Sequence, residues 1–105
     1  PVDQFEYYSL VDPFAKGYYD VGEKAKAQKL LTQLIGKYTE NLNYYSHLSS
    51  SEQVDIAIEI VTDIERYRGL LAIMKESGDT PLYEKSKKPF NNYINIFERF
   101  GREKE

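Results

Sequence analysis

The feature that most constrains the fold of this chain is a long apolar stripe with helical spacing over residues 23–45. Apolar and aromatic side chains recur there at steps of three and four residues: Ala27, Leu30, Leu31, Leu34, Tyr38, Leu42 and Tyr45. This spacing places the side chains on one face of an α-helix, whereas a strand would require strict alternation. A helix of about 23 residues is roughly 35 Å long, so other helices must cover its apolar face.

Two further helices follow from the same periodicity. The first is predicted over residues 51–77, after a capping box formed by Ser49 and Glu52, and ends at Gly78. Ser50 and Gln53, one residue further along, are the alternative capping box. The stripe of this helix consists of Ile56, Ile60, Ile64, Tyr67, Leu71 and Met74, widened by Val54, Ala57, Ile58 and Val61. Because an apolar arc this wide requires two neighbours, we expect this helix to be central.

The last predicted helix spans residues 80–100, with Thr80 as its cap and Pro81 in its first turn. Its inner face consists of Tyr83, Phe90, Ile94 and Phe97. Pro89 lies inside this helix. Since proline removes a backbone donor and clashes with the preceding turn, we expect a kink or a split there.

A short helix precedes the long one. Asp12 and Pro13 are suited to its first turn, and Phe14 and Tyr18 lie four residues apart on one face. Gly22 then ends it as a left-handed cap.

Residues 1–8 show no clear period and are expected to form an extended lead-in. With 105 residues in total, the sequence predicts a single all-α domain over residues 1–105, a four-helix bundle-like fold with a kinked last helix.

Composition excludes several classes of function. The chain has no cysteine, which excludes disulfides and thiolate metal sites. The net charge of −3 argues against nucleic-acid binding. Its longest apolar run, residues 70–74, is far too short to cross a bilayer, so we expect no direct membrane insertion by this segment.

No residue pattern predicts catalysis or a cofactor. Glu52, Asp55, Glu59 and Asp63 are spaced along one side of the third helix, and we interpret that side as a solvated face. A weak cation site is the alternative, but helical carboxylate sites for metals usually add an inward Glu-x-x-His pair. The only histidine, His47, lies in a turn without a catalytic partner. We therefore expect a non-enzymatic protein without a resident metal.

Tyrosine is abundant, with ten residues and three doublets, at 7–8, 18–19 and 44–45. Neighbouring residues on a helix point about 100° apart, so one ring of a doublet packs inward while the other lies at the rim. We expect Tyr19 and Tyr44 to be exposed anchors of a possible interaction surface. A tyrosine-lined cavity for a small ligand is the alternative interpretation.

The segment 11–39 resembles a tetratricopeptide repeat. The matching positions are Phe14, Ala15, Tyr18, Gly22, Ala27 and Leu31. Leu34 departs from this motif, which prefers a small residue there. A second copy is faint: Tyr67, Leu70 and Gly78 match, whereas Tyr83 occupies the small position. An extended array needs about three repeats, so the resemblance implies one helical hairpin rather than a repeat protein.

The segment 61–79 resembles the soluble C-terminal tail of bacterial multi-spanning membrane proteins of the protein O-mannosyltransferase-like family. That resemblance implies an appendage tethered to a membrane through a preceding region, with the glycosyl-transfer chemistry located elsewhere. Localisation itself is left open by the sequence.

Together these observations predict a non-catalytic interaction or scaffolding module. The expected partner is a protein, either the remainder of a parent chain or a second copy. A small-ligand sensor with a tyrosine-lined cavity and a carboxylate metal-binding bundle are the two alternatives.

Overall fold

A computed structural model describes residues 14–105 of the chain. Residues 14–20 are helical (α1), followed by α2 (Lys24–Ser46), α3 (Ser50–Asp55), α4 (Ala57–Glu76), α5 (Thr80–Ile96) and a 3₁₀ turn (Glu98–Phe100). No strand occurs in this described range. The predicted all-α bundle is thus confirmed, while the expected lead-in, Asp12 and Pro13 lie outside the described residues.

The core lies between the three long helices. Helix α4 packs against both α2 and α5, and α2 also contacts α5, so α4 is central as predicted. The largest fully buried side chains come from all three helices and the residue after α5: Leu31, Leu42, Ile60, Ile64, Tyr67, Leu70, Leu71, Met74, Phe90 and Phe97. Tyr67 and Phe90 are in ring contact at 5.1 Å between centroids.

Two tight turns reverse the chain at glycines with positive φ. Gly22 has φ 81° and Gly78 has φ 77°, a conformation that glycine adopts without steric cost. At each turn the residue after the glycine donates its N–H five residues back, Glu23 to Tyr18 and Asp79 to Met74. This is the Schellman arrangement, and it confirms the predicted cap at Gly22.

The first hairpin differs in one respect from the expected packing. Ala27 is fully buried, as the small position of the second helix requires. Phe14, however, is 63% exposed, whereas Ala15 is fully buried. The prediction of Phe14 as an inner residue is therefore wrong, because the buried face of α1 is one residue further along the chain.

The third predicted helix is divided at Ile56, whose φ and ψ are −113° and 27°. The predicted capping box of Ser49 and Glu52 is confirmed at the start of α3. Val54 and Ile58 lie on either side of the break and are exposed, so their assignment to the apolar arc is wrong. β-Branched side chains lower helix propensity, and three of them surround this break.

The N-cap of helix α5 lies one residue earlier than expected. The cap is Asp79 rather than Thr80, and its carboxylate accepts the N–H of Leu82. The helix continues through Pro89 to Ile96, so it is not split there, and the kink, the other outcome expected at Pro89, stays a prediction. Buried Tyr83, Phe90 and Ile94 hold this helix against the bundle along its length, which offsets the hydrogen bond lost at the proline.

Candidate functional site

A groove lies at the corner where α2 turns into α3 and α3 meets α4. Its volume is about 340 Å³ and it is open to solvent. The residues that line it are Tyr44, Tyr45, Leu48, Glu52, Asp55, Ile56 and Glu59. We call this feature the corner groove.

Local hydrogen bonds hold the walls of the corner groove in place. Glu52 N–H donates to Ser49 Oγ at 3.2 Å, and Ser49 N–H donates back to Glu52 Oε1 at 3.2 Å. Gln53 Nε2 donates to the carbonyls of Tyr45, at 2.9 Å, and Leu48, at 3.3 Å. These bonds fasten α3 to the end of α2, so the turn that carries Leu48 is held on both sides.

The aromatic part of the groove is the doublet of Tyr44 and Tyr45. Tyr44 is 63% exposed and Tyr45 is half-buried. Their ring centroids are 6.1 Å apart at an interplanar angle of 66°, an edge-to-face arrangement. The expectation that one ring of the doublet lies at the rim is confirmed, and Tyr44 is exposed as predicted.

Three carboxylates, Glu52, Asp55 and Glu59, give the groove its charge, and all three are exposed as the sequence predicts. Hydrogen bonds from the Ser49 side chain and backbone lower the pKa of Glu52. Asp55 and Glu59 form no ion pair within residues 14–105. The groove therefore combines an apolar and aromatic lining with negative charge that the described chain does not neutralise.

Asp63 does not belong to this solvated set, and its expected exposure is wrong. It is only 3% exposed, and its Oδ2 accepts the hydroxyl of Tyr45 at 2.8 Å and the amide of Asn41 at 3.2 Å. Burial raises the pKa of Asp63, although both hydrogen bonds and Arg66 oppose that shift. Burial and the bond to Asp63 also raise the pKa of Tyr45. Asp63 thus anchors Tyr45 from behind the groove.

Tyr19, the other expected anchor, is elsewhere and is not an exposed ring. It precedes α2, whereas Tyr44 is near the end of that helix, so the structure does not bring the two together. Tyr19 is half-buried, and its hydroxyl donates to Asp79 Oδ2 at 2.7 Å. Its role as an interaction residue stays a prediction.

Sequence reasoning did not single out Leu48 and Ile56 as site residues. Both lie at helix boundaries, where periodicity carries no information about which way a side chain points. The signal that marks this region is the capping box at Ser49, which shows that the chain changes direction there.

No group of three or more His, Asp or Glu side chains is placed to hold a metal ion within residues 14–105. His47 is exposed, and its Nδ1 is 2.8 Å from the carbonyl of Asn43. No helix of the described chain combines the length and apolar character needed to cross a bilayer.

Comparison of the chain with protein-family models, curated proteins and solved structures finds no match. The two family resemblances therefore stay predictions.

Proposed function

We propose that this chain is a non-catalytic interaction module and that a partner protein binds at its corner groove. One observation carries the proposal: an open groove with tyrosine and aliphatic lining has three carboxylates around it. Aromatic side chains near a desolvated centre contribute most of the binding energy in protein interfaces. Tyr44, largely exposed and in contact with Tyr45, is suited to that role.

The charge of the groove indicates the chemistry of the partner. Glu52, Asp55 and Glu59 favour a segment with lysine or arginine, since complementary charge raises association rates and excludes acidic partners. A cation can also lie over a tyrosine ring, which is worth about 0.5–1 kcal/mol at an exposed site. We therefore assign to the groove a basic side chain next to an apolar one.

The size of the groove limits the affinity for short ligands. A standard interface buries roughly 800 Å² per partner, more than a single open groove between two helices provides. The corner groove would then be the centre of a wider contact made by a folded partner. A short linear peptide should bind more weakly than about 10 μM, or some −7 kcal/mol. The family resemblances support an appendage of a larger protein, which would supply such a partner within its own chain or assembly.

The open shape of the groove also favours a protein partner over the small-ligand sensor. A site for a small ligand usually buries about 70–90% of the ligand surface. The tyrosine-lined volume here opens to solvent, so a small molecule in it would remain largely exposed.

The test is an NMR titration of the ¹⁵N-labelled chain with two alanine-based helical peptides. One peptide carries leucine and arginine four residues apart, and the other carries glutamate in place of arginine. We expect the basic peptide to shift the amides of residues 44–59 saturably, with weaker binding as salt is raised. Tyr44→Ala and Glu59→Gln should each weaken binding by about 5-fold or more.

Two matched controls test the location. Phe14→Ala removes an aromatic ring with the same 63% exposure as Tyr44, and Glu40→Gln removes an exposed carboxylate outside the groove. Both should leave binding unchanged. Equal binding of the acidic peptide, or equal loss in Tyr44→Ala and Phe14→Ala, would contradict the proposal.

A further inference from the structure

A second site lies where residues 101–105 fold back over α4 and α5. Arg68 Nη1 donates to Glu105 Oε1 at 3.0 Å, and the Tyr83 hydroxyl donates to Glu105 Oε2 at 2.9 Å. The Glu105 backbone N–H donates to Asn91 Oδ1 at 2.8 Å. We call the three residues that hold Glu105, namely Arg68, Tyr83 and Asn91, the carboxylate notch.

The notch is held in shape by the core rather than by the segment it binds. The guanidinium of Arg68 lies 5.0 Å from the ring centroid of Phe90, which is fully buried. Tyr83 is only 8% exposed, and its polar atom is the one that contacts Glu105. Because the Arg68 guanidinium lies against a buried ring and Tyr83 belongs to the hydrophobic core, we expect both donors to remain in position when the carboxylate leaves.

The charge around the notch suits an anion. Lys75 and Lys87 lie 5.7 Å and 5.1 Å from the centroid of the Tyr83 ring. Glu65 is 3.6 Å from Arg68, and Glu84 is 3.0 Å from Lys87, so part of this positive charge is neutralised. The two donors that face the ligand, the Arg68 guanidinium and the Tyr83 hydroxyl, nevertheless both contact a carboxylate oxygen.

The Glu105 side chain behaves as a bound ligand on an otherwise exposed segment. Only 19% of the Glu105 side chain is accessible, although each of residues 101–105 is exposed when the whole residue is considered. The Glu103 carbonyl accepts a second hydrogen bond from Arg68. A ligand attached through a short linker has an effective concentration in the millimolar range, so even a weak site would be occupied by its own chain.

We propose that the carboxylate notch is a binding site for a glutamate-bearing acidic segment of a partner protein, and that residues 103–105 occupy it as a competing ligand in the unbound chain. The bond pattern specifies the ligand: a side-chain carboxylate lies between the guanidinium and the phenol, and the backbone N–H of the same residue donates to Asn91. The site does not depend on the corner groove, because the two share no residue.

The experiment uses the full chain and a five-residue peptide with the sequence of residues 101–105, acetylated and amidated so that only side-chain carboxylates are present. Glu105→Gln should free the notch, because a neutral amide loses the charge-assisted bonds. In an NMR titration, the peptide should bind Glu105→Gln about 10-fold more tightly than the unaltered chain. The amide shifts should centre on Arg68, Tyr83 and Asn91.

Three controls test the chemistry. A peptide with glutamine at its last position should not bind either chain. Glu103→Gln neutralises a neighbouring carboxylate but keeps the backbone carbonyl that accepts from Arg68, so this variant should bind the peptide as weakly as the unaltered chain does. Adding Tyr83→Phe to Glu105→Gln removes the hydroxyl but keeps the ring, and should weaken peptide binding by about 5-fold or more.

Any one of three results would overturn the proposal. Absence of peptide binding to Glu105→Gln, or equal binding of the glutamine peptide, would show that the contact with Glu105 only fixes the end of this segment. A concentration-dependent dimer of the unaltered chain, lost in Glu105→Gln, would show that the notch takes the same segment from a second copy instead of a partner. A negative result at the corner groove would leave this test unaffected.

Discussion

Two buried aspartates have nearly the same hydrogen-bond partners and opposite acid–base behaviour. Asp79 is 2% exposed, and its Oδ2 accepts the hydroxyl of Tyr19 at 2.7 Å and the amide of Gln28 at 2.9 Å. Asp63 likewise accepts one tyrosine hydroxyl and one side-chain amide on a single oxygen. Burial raises the pKa of both carboxyls, but the pKa of Asp79 is lowered overall and that of Asp63 is raised.

One difference between the two carboxyls is the position of each residue on its helix. Asp79 is the N-cap of α5, and its second oxygen accepts the Leu82 N–H at 3.4 Å. The nearby Lys24 also favours the ionised form. Asp63 lies inside α4, where no free backbone N–H is available, and Glu59 disfavours its ionisation. The backbone N–H at the start of α5 thus adds to the bonds from Tyr19 and Gln28 in lowering the pKa of Asp79, whereas burial outweighs the hydrogen bonds at Asp63.

The two residues make opposite contributions to stability as pH changes. The lowered pKa of Asp79 gives stability that is present above the ordinary aspartate pKa of about 3.9 and is lost as pH falls through the folded-state pKa. The raised pKa of Asp63 gives stability that is present below about 3.9 and is lost as pH rises through the folded-state pKa.

The largest expected effect is that of Asp79→Ala. This change removes the cap of α5 and leaves the Tyr19 hydroxyl and Gln28 amide without their acceptor, so the free energy of unfolding should fall by about 3 kcal/mol. Urea denaturation at pH 7 measures the change. The control Asp20→Ala, at an exposed residue of α1, should stay within about 0.5 kcal/mol. Similar losses in the two variants would show that Asp79 has no special role.

A smaller effect is expected when each tyrosine loses its hydroxyl. Tyr19→Phe should lower the free energy of unfolding by about 2 kcal/mol at pH 7, because Asp79 must remain ionised to cap α5. Tyr45→Phe should cost about 1 kcal/mol, because Asp63 can take up a proton when a donor is lost. The comparison uses the same denaturation experiment, with Tyr18→Phe as the control. A larger loss of stability in Tyr45→Phe than in Tyr19→Phe would contradict the assignment of Asp79 as the carboxylate that must stay ionised.

The smallest change at neutral pH is expected for Asp63→Asn, whose free energy of unfolding should lie within about 1 kcal/mol of that of the unaltered chain. Its pH dependence is the informative quantity. As pH rises above about 3.9, the variant should gain stability relative to the unaltered chain and then reach a plateau. Asp79→Asn should show the opposite trend, losing relative stability as pH rises to about 3.9. If relative stability changed with pH in the same direction for both variants, the two carboxyls would not differ in the way their pKa shifts predict.

Local sequence signals predicted the helices well because they depend on nearby residues. The second helix was expected over residues 23–45 and is observed at Lys24–Ser46. The capping box at Ser49 and the left-handed turn at Gly22 are both confirmed. Helical spacing also predicts the burial of Asp63, because it lies three residues after Ile60 and four before Tyr67, and both are fully buried. Because Asp63 lies four residues after Glu59, it was instead assigned to the solvated carboxylate face.

The candidate site was predicted only in part. Tyr44 and the exposed carboxylates follow from helical spacing, but the groove that joins them depends on the break at Ile56. No proline or glycine marks that break in the sequence. Just before that break, Gln53 fastens α3 to the end of α2, and periodicity does not encode this contact.

The sequence by itself determined the all-α class, the places where helices start and reverse, and the apolar faces that meet in the core. Each of these depends on capping, glycine φ and the 3.6-residue period, which act over a few positions. Only the tertiary structure decided which polar groups meet. Tyr19 bonds to Asp79 across 60 positions and Arg68 to Glu105 across 37. Such pairs depend on how whole helices pack, so no local pattern in the chain specifies them.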